Sequence, residues 1–256
     1  MRIITGHQPV YLPWLGLFHK ISLADVFVFM DDVQYLQRDW NNRNKIKGPN
    51  GSFWLTVPVK LKGSSSRILK DIRINSEGWE GKNHWQKDHW QSLQICYGKT
   101  QYWDTYASFF EEFLMRKPWE WLVEVNEYLF LHFLRFLDLQ VEFVRASTYG
   151  FEGRKSDLVL DHCRKLQADI CVLGMHGHDY LVEDDFLQEG ISLYYQDYQH
   201  PRYEQRFGEF ISHLSIVDLL FNCGPNSRPI LLSGNISQAT LTSIAEGEQQ
   251  PSVLRC

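Results

Sequence analysis

His7 and Gln8 stand directly after a short apolar run, Arg2 to Thr5, inside the segment GHQPVYLPWLG (residues 6–16). An imidazole and an amide at the end of a strand can face a ligand, while the amides that open the following helix supply positive potential for an anion. The plainer use of His7 is a hydrogen bond to the backbone of its own turn. Pro9 and Pro13 stiffen the segment, which suits a preorganised site and a structural corner equally. Tyr11 and Trp14 add aromatic surface that a substrate could touch.

A second polar group follows the run DVFVFMDDV (residues 25–33): Asp31, Asp32, Gln34 and Tyr35, and then RDWNNRNKIK with Arg38, Trp40, Asn42, Arg43, Lys45 and Lys47. Carboxylates beside cations can orient an amine, hold magnesium with a nucleotide, or simply pair with each other. Arginine and lysine interleaved with asparagine and tryptophan suit a phosphate or pyrophosphate and the base or sugar attached to it. A solvated basic face is the structural alternative.

Further along, GMHGHDY (residues 174–180) offers Gly174, His176 and Tyr180 as a substrate-binding turn. His176 and His178 lack a firm third ligand, so no metal site is expected there. In YQHPRYEQRF, His200, Tyr203 and Gln205 close a later strand and are expected to reach the same crevice. FEGRKSD (151–157) places small and basic residues at a helix start but is no complete phosphate loop, and no GxSxG elbow is present.

These residues need a scaffold. Arg2–Thr5 reads as a strand, LGLFHKISL (15–23) as a helix and DVFVFMDDV as a buried strand, which makes a βαβ unit with its loop at the strand's carboxyl end. Open parallel sheets bind ligands at that edge, so both polar segments converge there. FWLTVPVKL and SRILKDIRIN alternate like strands, and residues 52–75 are expected as an antiparallel or edge addition to the sheet. Trp79 to Leu139 has helical periodicity. VEFVRAS, ADICVLG and ISLYYQDYQH read as strands, GRKSDLVLDHCRKLQA and FISHLSIVDLLFNCG as helices, the last stopped by Gly224. The fold class is therefore α/β, with a mostly parallel central sheet, a Rossmann-like core and an inserted helical segment. The divisions are 1–75 and 141–224 for the two parts of the core, 76–140 for the helical segment, and 225–256 for an irregular tail.

The 256 residues carry a net charge of −5 with 44% hydrophobic residues, so no global basic field favours nucleic acid and a small-molecule partner is expected. Five cysteines without a CxxC pair suit reduced thiols and the cytoplasm. No apolar run approaches the roughly 20 residues of a spanning helix, so membrane insertion is not expected. A homo-oligomer is compatible with all of this. All nine tryptophans lie between Trp14 and Trp121, as packing anchors or as a stacking surface.

GHQPVYLPWLGLFHKI, ADVFVFMDDVQY, RDWNNRNKIKG, FWLTVPV and YEQRFGEFISHLSIVDLLFNCG together resemble the WbqC-like protein family, from about residue 3 to residue 225. Members are associated with gene clusters for O-antigen and other surface polysaccharides or secondary metabolites. The resemblance implies a part in building a modified sugar. Together with the convergence of His7, Gln8, Asp31, Asp32 and Gln34 and the phosphate-ready Arg38, Arg43 and Lys45, it leads to the expectation of acyl or aminoacyl transfer to the amine of a nucleotide-linked amino sugar, with His7, Asp31 and Asp32 as catalytic candidates. A non-catalytic protein that binds a nucleotide sugar or a pathway partner is the alternative. The strand, proline-containing loop, helix and strand ending in DDVQY is also similar to the front half of nucleotidylyl-transferase-like enzymes, pantothenate synthetase among them. These hold ATP at an HxGH signature, where this chain has Tyr11-Leu12-Pro13-Trp14. The cofactor therefore stays open between ATP with magnesium and an acyl thioester donor.

Overall fold

Three runs that are apolar on both faces, at residues 3–5, 26–29 and 170–173, can be satisfied only between two layers of other elements. The computed structural model, which describes residues 1–62, 66–76, 84–248 and 250–255, puts them side by side at the centre of a sheet. In chain order the elements are β1 (Ile3–His7), α1 (Leu15–Ser22), β2 (Val26–Phe29), β3 (Arg43–Gly48), β4 (Gly51–Thr56), α2 (Trp85–Tyr97), α3 (Trp103–Glu111), α4 (Leu122–Phe136) and β5 (Glu142–Arg145). They continue with α5 (Ala146–Tyr149), α6 (Ser156–Lys165), β6 (Ile170–Leu173), α7 (Glu183–Gln188), β7 (Ser192–Tyr195), α8 (Ile216–Cys223), α9 (Ser227–Leu232), α10 (Gln238–Gly247) and β8 (Val253–Leu254).

The six central strands are all parallel, in the order β5-β2-β1-β6-β7-β8. Successive strands step outward from β1 in one direction, and then from β6 in the other. The order reverses between β1 and β6, which is the doubly wound, Rossmann-like arrangement with its switch point there. One face of the sheet, with Ile4, Val28, Cys171 and Leu193, packs on Leu160 and Cys163 of α6 and Phe186 of α7. On the other face Ile3, Ile170, Val172 and Tyr194 meet Leu241 and Ala245 of α10. Beside them Phe27 stacks on Phe130 of α4 with ring centroids 4.7 Å apart. A single buried cluster then runs from Phe18 of α1 through α2, α3, α4 and α8 to Ile46 and Leu55 of β3 and β4.

Three expectations change. β3 and β4 form a separate antiparallel hairpin, Arg43 opposite Thr56 and Gly48 opposite Gly51, rather than an edge of the central sheet. The run SRILKDIRIN is not a strand. It buries Leu69, Ile72 and Ile74, and the three-residue step from Leu69 to Ile72 closes a 3-10 turn at Leu69–Asp71, with isolated bridges Gln34–Ile68, Val59–Ile74 and Arg73–Trp121. The tail beyond Pro225 is not irregular: it supplies α9, α10 and the sixth strand, Leu193 pairing with Val253 and Tyr194 with Leu254. Few apolar side chains anchor it, Leu231, Leu241, Ala245 and Leu254, and in a polar stretch they leave little periodicity to read. Of the helical segment, residues 77–83 lie outside the described residues. Among the described residues no helix is long and apolar enough to cross a membrane.

Candidate functional site

β1 pairs with β2 as far as His7 but with β6 only as far as Thr5, opposite Val172. Beyond that pair the two strands part, and the opening at their carboxyl ends is where a doubly wound sheet takes its ligand. The Gly6 carbonyl, past the last β1–β6 pair, accepts from Lys20 Nζ at 2.9 Å. Lys20 is only 5% exposed and has no carboxylate partner among the described residues. Burial lowers its pKa to about 8 against a smaller opposing effect of Cys171. Sequence reasoning missed it, although Lys20 falls three residues after Leu17, on the side of α1 that a helical stripe buries.

His7 closes β1 half-buried, its Nδ1 2.8 Å from the Gln8 carbonyl oxygen. A carbonyl can only accept, so Nδ1 carries the hydrogen and Nε2 is left as an acceptor. Burial, and next the Lys20 charge, hold the pKa of His7 down to about 3, so the ring is neutral in any physiological buffer. Trp14 meets it edge-on at 5.4 Å, Trp40 lies 5.7 Å from Trp14, and Trp54 lies 5.2 Å from Trp40. Arg43 and Lys45, alternate residues of β3, sit 4.2 and 4.9 Å over the Trp54 ring. An aromatic strip thus leads from the crevice to a pair of cations on the hairpin. Gln8 Nε2 is 3.5 Å from an Asp39 carboxylate oxygen beside it.

The two aspartates after β2 separate in role. Asp31 is buried, one oxygen accepting from the Ser147 amide at 2.8 Å and the other from the Ser147 hydroxyl at 2.6 Å. It anchors the first turn of α5 against β2, with each oxygen engaged once by Ser147. Asp32 is half-buried, and among the described residues its Oδ1 is enclosed without a partner. Burial first, then the charge of Asp31, raise its pKa.

On the far lip, after β6, come Gly174 and a 3-10 turn at Met175–Asp179. His176 there is exposed and bonds Asp179 at 3.2 Å, Tyr180 is exposed, and His178 stacks on Tyr195 at 3.4 Å. Gln34 and Arg38 are exposed beyond β2. Arg38 has a left-handed backbone (φ 63°), and its carbonyl accepts from the Arg43 guanidinium.

Other residues expected in the crevice turn inward, because each finds its partners inside the protein. Tyr11 is fully buried, its hydroxyl 2.8 Å from His89 Nδ1. Tyr35 donates to Asn42 Oδ1 at 3.0 Å, and Asn42 donates to the Val57 carbonyl at 2.8 Å. The neighbouring asparagines hold the first loop: Asn41 donates to the Pro9 carbonyl at 2.8 Å and Asn44 to that of Leu12 at 2.5 Å. Tyr203 and Gln205 each meet Asp218 Oδ2 at 2.9 Å, while Tyr97 donates to its Oδ1 at 2.8 Å. Lys47 Nζ completes this buried network at 3.2 Å from Gln205 Oε1. The signal for it was an aspartate inside the apolar run IVDLLF, which calls for buried donors.

Fold and site together define a doubly wound α/β protein whose polar and aromatic groups gather at the switch point. The chain belongs to the WbqC-like protein family, whose model matches residues 8–230. It is 30% identical over 225 residues to the uncharacterized protein Rv1507c of Mycobacterium tuberculosis (strain ATCC 25618 / H37Rv), covering 88% of this chain and 95% of that one. No solved structure matches.

Proposed function

We propose that this chain is a biosynthetic enzyme of surface-polysaccharide or secondary-metabolite assembly that transfers an acyl or aminoacyl group to the amine of a nucleotide-linked amino sugar. The observation that carries the reading is the run of groups from neutral His7 along Trp14, Trp40 and Trp54 to Arg43 and Lys45, with Asp32 following β2, which pairs with β1 as far as His7. Family membership supports the pathway class.

The attacking amine must be neutral and must lose a proton as its nitrogen bonds to the acyl carbon. Asp32 is the better acceptor of that proton, since its pKa is raised while that of His7 is held to about 3. His7 Nε2 accepts an N–H of the amine and orients its lone pair. The bond from acyl carbon to leaving group breaks as the C–N bond forms, and Asp32 returns the proton to the departing thiolate or phosphate. Arg43 and Lys45 hold the pyrophosphate of the sugar nucleotide. Of the two positions that align with the histidines of the HxGH signature, Tyr11 is buried and engaged by His89 and Trp14 is an indole, so neither offers ATP a phosphate-binding imidazole.

The purified protein, incubated with uridine or thymidine diphosphate amino sugars and acyl donors, with and without ATP, is expected to yield a mass-shifted amide. A folded protein that makes no product in any combination rules out the transferase. The competing reading, a binding protein of the same pathway, draws on the engagement of both Asp31 oxygens by Ser147. It predicts nucleotide-sugar binding that Asp32→Asn leaves intact and no turnover from either form.

A further inference from the structure

At Gly6, strand β1 loses its partner β6. The Arg2 carbonyl accepts from the Ile170 amide of β6, whereas the His7 carbonyl accepts from the Met30 amide that follows β2. Backbone groups alternate sides along a strand, so the Gly6 carbonyl, four residues on from Arg2, points toward β6. The last pair between these strands is Thr5 opposite Val172, and what takes the Gly6 carbonyl is Lys20 Nζ, at 2.9 Å. The ammonium therefore stands in the gap where the two strands part. Gly6, His7 and Gly174 along that gap are each partly exposed, and a Cβ added at Gly174 would meet nothing within 4 Å beyond its chain neighbours.

This cation is incompletely satisfied. An ammonium has three N–H donors, and among the described residues Lys20 finds one acceptor, the Gly6 carbonyl, and no carboxylate. Its charge acts on the His7 ring from β1 and on Cys171 from β6, as a group between the two strands must. Burial lowers its pKa only to about 8, so at neutral pH Lys20 is still mostly charged. A buried charge without a counter-ion is costly, and an anion brought by a ligand offsets that cost.

We infer that the gap between β1 and β6 is an anion site served by Lys20, and that in acyl transfer it holds the carbonyl oxygen of the acyl group as negative charge builds there. The second part rests on the transferase reading. His7 follows Gly6 directly, so an amine held at His7 Nε2 brings the acyl carbon beside Lys20. As the nitrogen bonds to that carbon, the carbonyl π pair moves onto oxygen, where the remaining N–H groups of Lys20 donate to it. The pair returns as the leaving group departs. Lys20 keeps its proton throughout, and Asp32 carries the one that leaves the amine. Donors fixed in advance, in a site that excludes water, act most strongly where charge develops.

Two measurements on the whole chain test it. Cyanate carbamylates neutral amines and is small enough to enter the gap. In the folded protein at pH 7.5, peptide mass mapping should find Lys20 carbamylated, and acetate, against chloride at matched ionic strength, should slow Lys20 while leaving the exposed Lys60 and Lys99 unchanged. Lys20→Met keeps the side chain's length without its charge: kcat for amide formation should fall about 10²–10³-fold, as on loss of an oxyanion donor, with KM for the sugar nucleotide nearly unchanged. An unlabelled Lys20, labelling indifferent to acetate, or a Lys20→Met protein with wild-type kcat overturns the inference. If Lys20→Met does not fold, labelling of the wild type decides. Labelling slowed by acetate in a protein that makes no amide keeps the anion site and removes the transferase. Amide formation with Lys20 inert to cyanate does the reverse.

Discussion

Asn44 Nδ2 donates to the Leu12 carbonyl at 2.5 Å, joining β3 to the loop after β1 at a leucine held in the left-handed region, φ 47°. Both residues are buried, and Asn44 Oδ1 in turn accepts from the Lys45 amide at 2.7 Å. The loop that leads from His7 to Trp14 is therefore positioned by a strand more than thirty residues downstream. Asn44→Ala leaves the Leu12 carbonyl buried and unsatisfied and should lower unfolding free energy by about 1–3 kcal/mol. Urea unfolding measures this, and a loss under about 0.5 kcal/mol would remove Asn44 from that role.

The adjacent aspartates should separate in experiment as they do in space. Asp31→Ala strips the Ser147 amide and hydroxyl of their acceptor and is expected to cost about 1–3 kcal/mol of stability. Asp32→Asn should leave stability nearly unchanged and reduce amide formation by about 10²–10⁴-fold, the range of a general base. The acid limb of kcat/KM in the parent protein should lie above the ordinary carboxylate range, following the raised pKa of Asp32. Equal activity of the two variants would contradict the assignment.

Stability should fall on mild acidification. Burial holds His7 and His89 to about 3 and His162 to about 4, whereas each titrates near 6.5 in the unfolded chain. Between those values the unfolded state binds more protons, so unfolding free energy drops as pH falls from 6.5 toward 3, by up to about 1.4 kcal/mol per pH unit for each ring. At pH 7 all three are neutral in the folded state and largely so in the unfolded chain, so their contribution there is small. Denaturant midpoints at pH 7, 6, 5 and 4 should decline steadily, and a flat profile to pH 5 would be incompatible with buried neutral rings.

Lys20 gives the opposite window. Its pKa is about 8 in the folded protein, so below pH 8 the folded state carries a cost that is relieved as pH rises toward 10.5. In that interval the unfolded chain again binds more protons, and wild-type stability gains up to about 1.4 kcal/mol per pH unit from this residue. Lys20→Met lacks the gain, so the stability difference between variant and wild type should shift in favour of wild type from pH 8 to pH 10. A constant difference would mean that Lys20 is not buried as a cation at the switch point.

The sequence by itself determined the βαβ start and the parallel α/β class, because these depend on local patterns, whereas the neighbour of β1 across the switch point, β6, lies far along the chain. Apolar runs such as VFVF must be buried on both faces, and LGLFHKIS must turn as a helix. The sequence also marked His7, Asp32 and the cations of β3 as reactive types in one neighbourhood. Tertiary structure alone decided which polar side chains face that space. Asp31 is taken by Ser147, Asn41 and Asn44 by the carbonyls of Pro9 and Leu12, and Tyr203 and Gln205 by Asp218. It also brought Trp54 and Trp85 to one pocket and drew the tail into the sheet as β8. The reason is physical: a buried polar group must find its partner, and where that partner lies is set by how elements far apart in sequence pack.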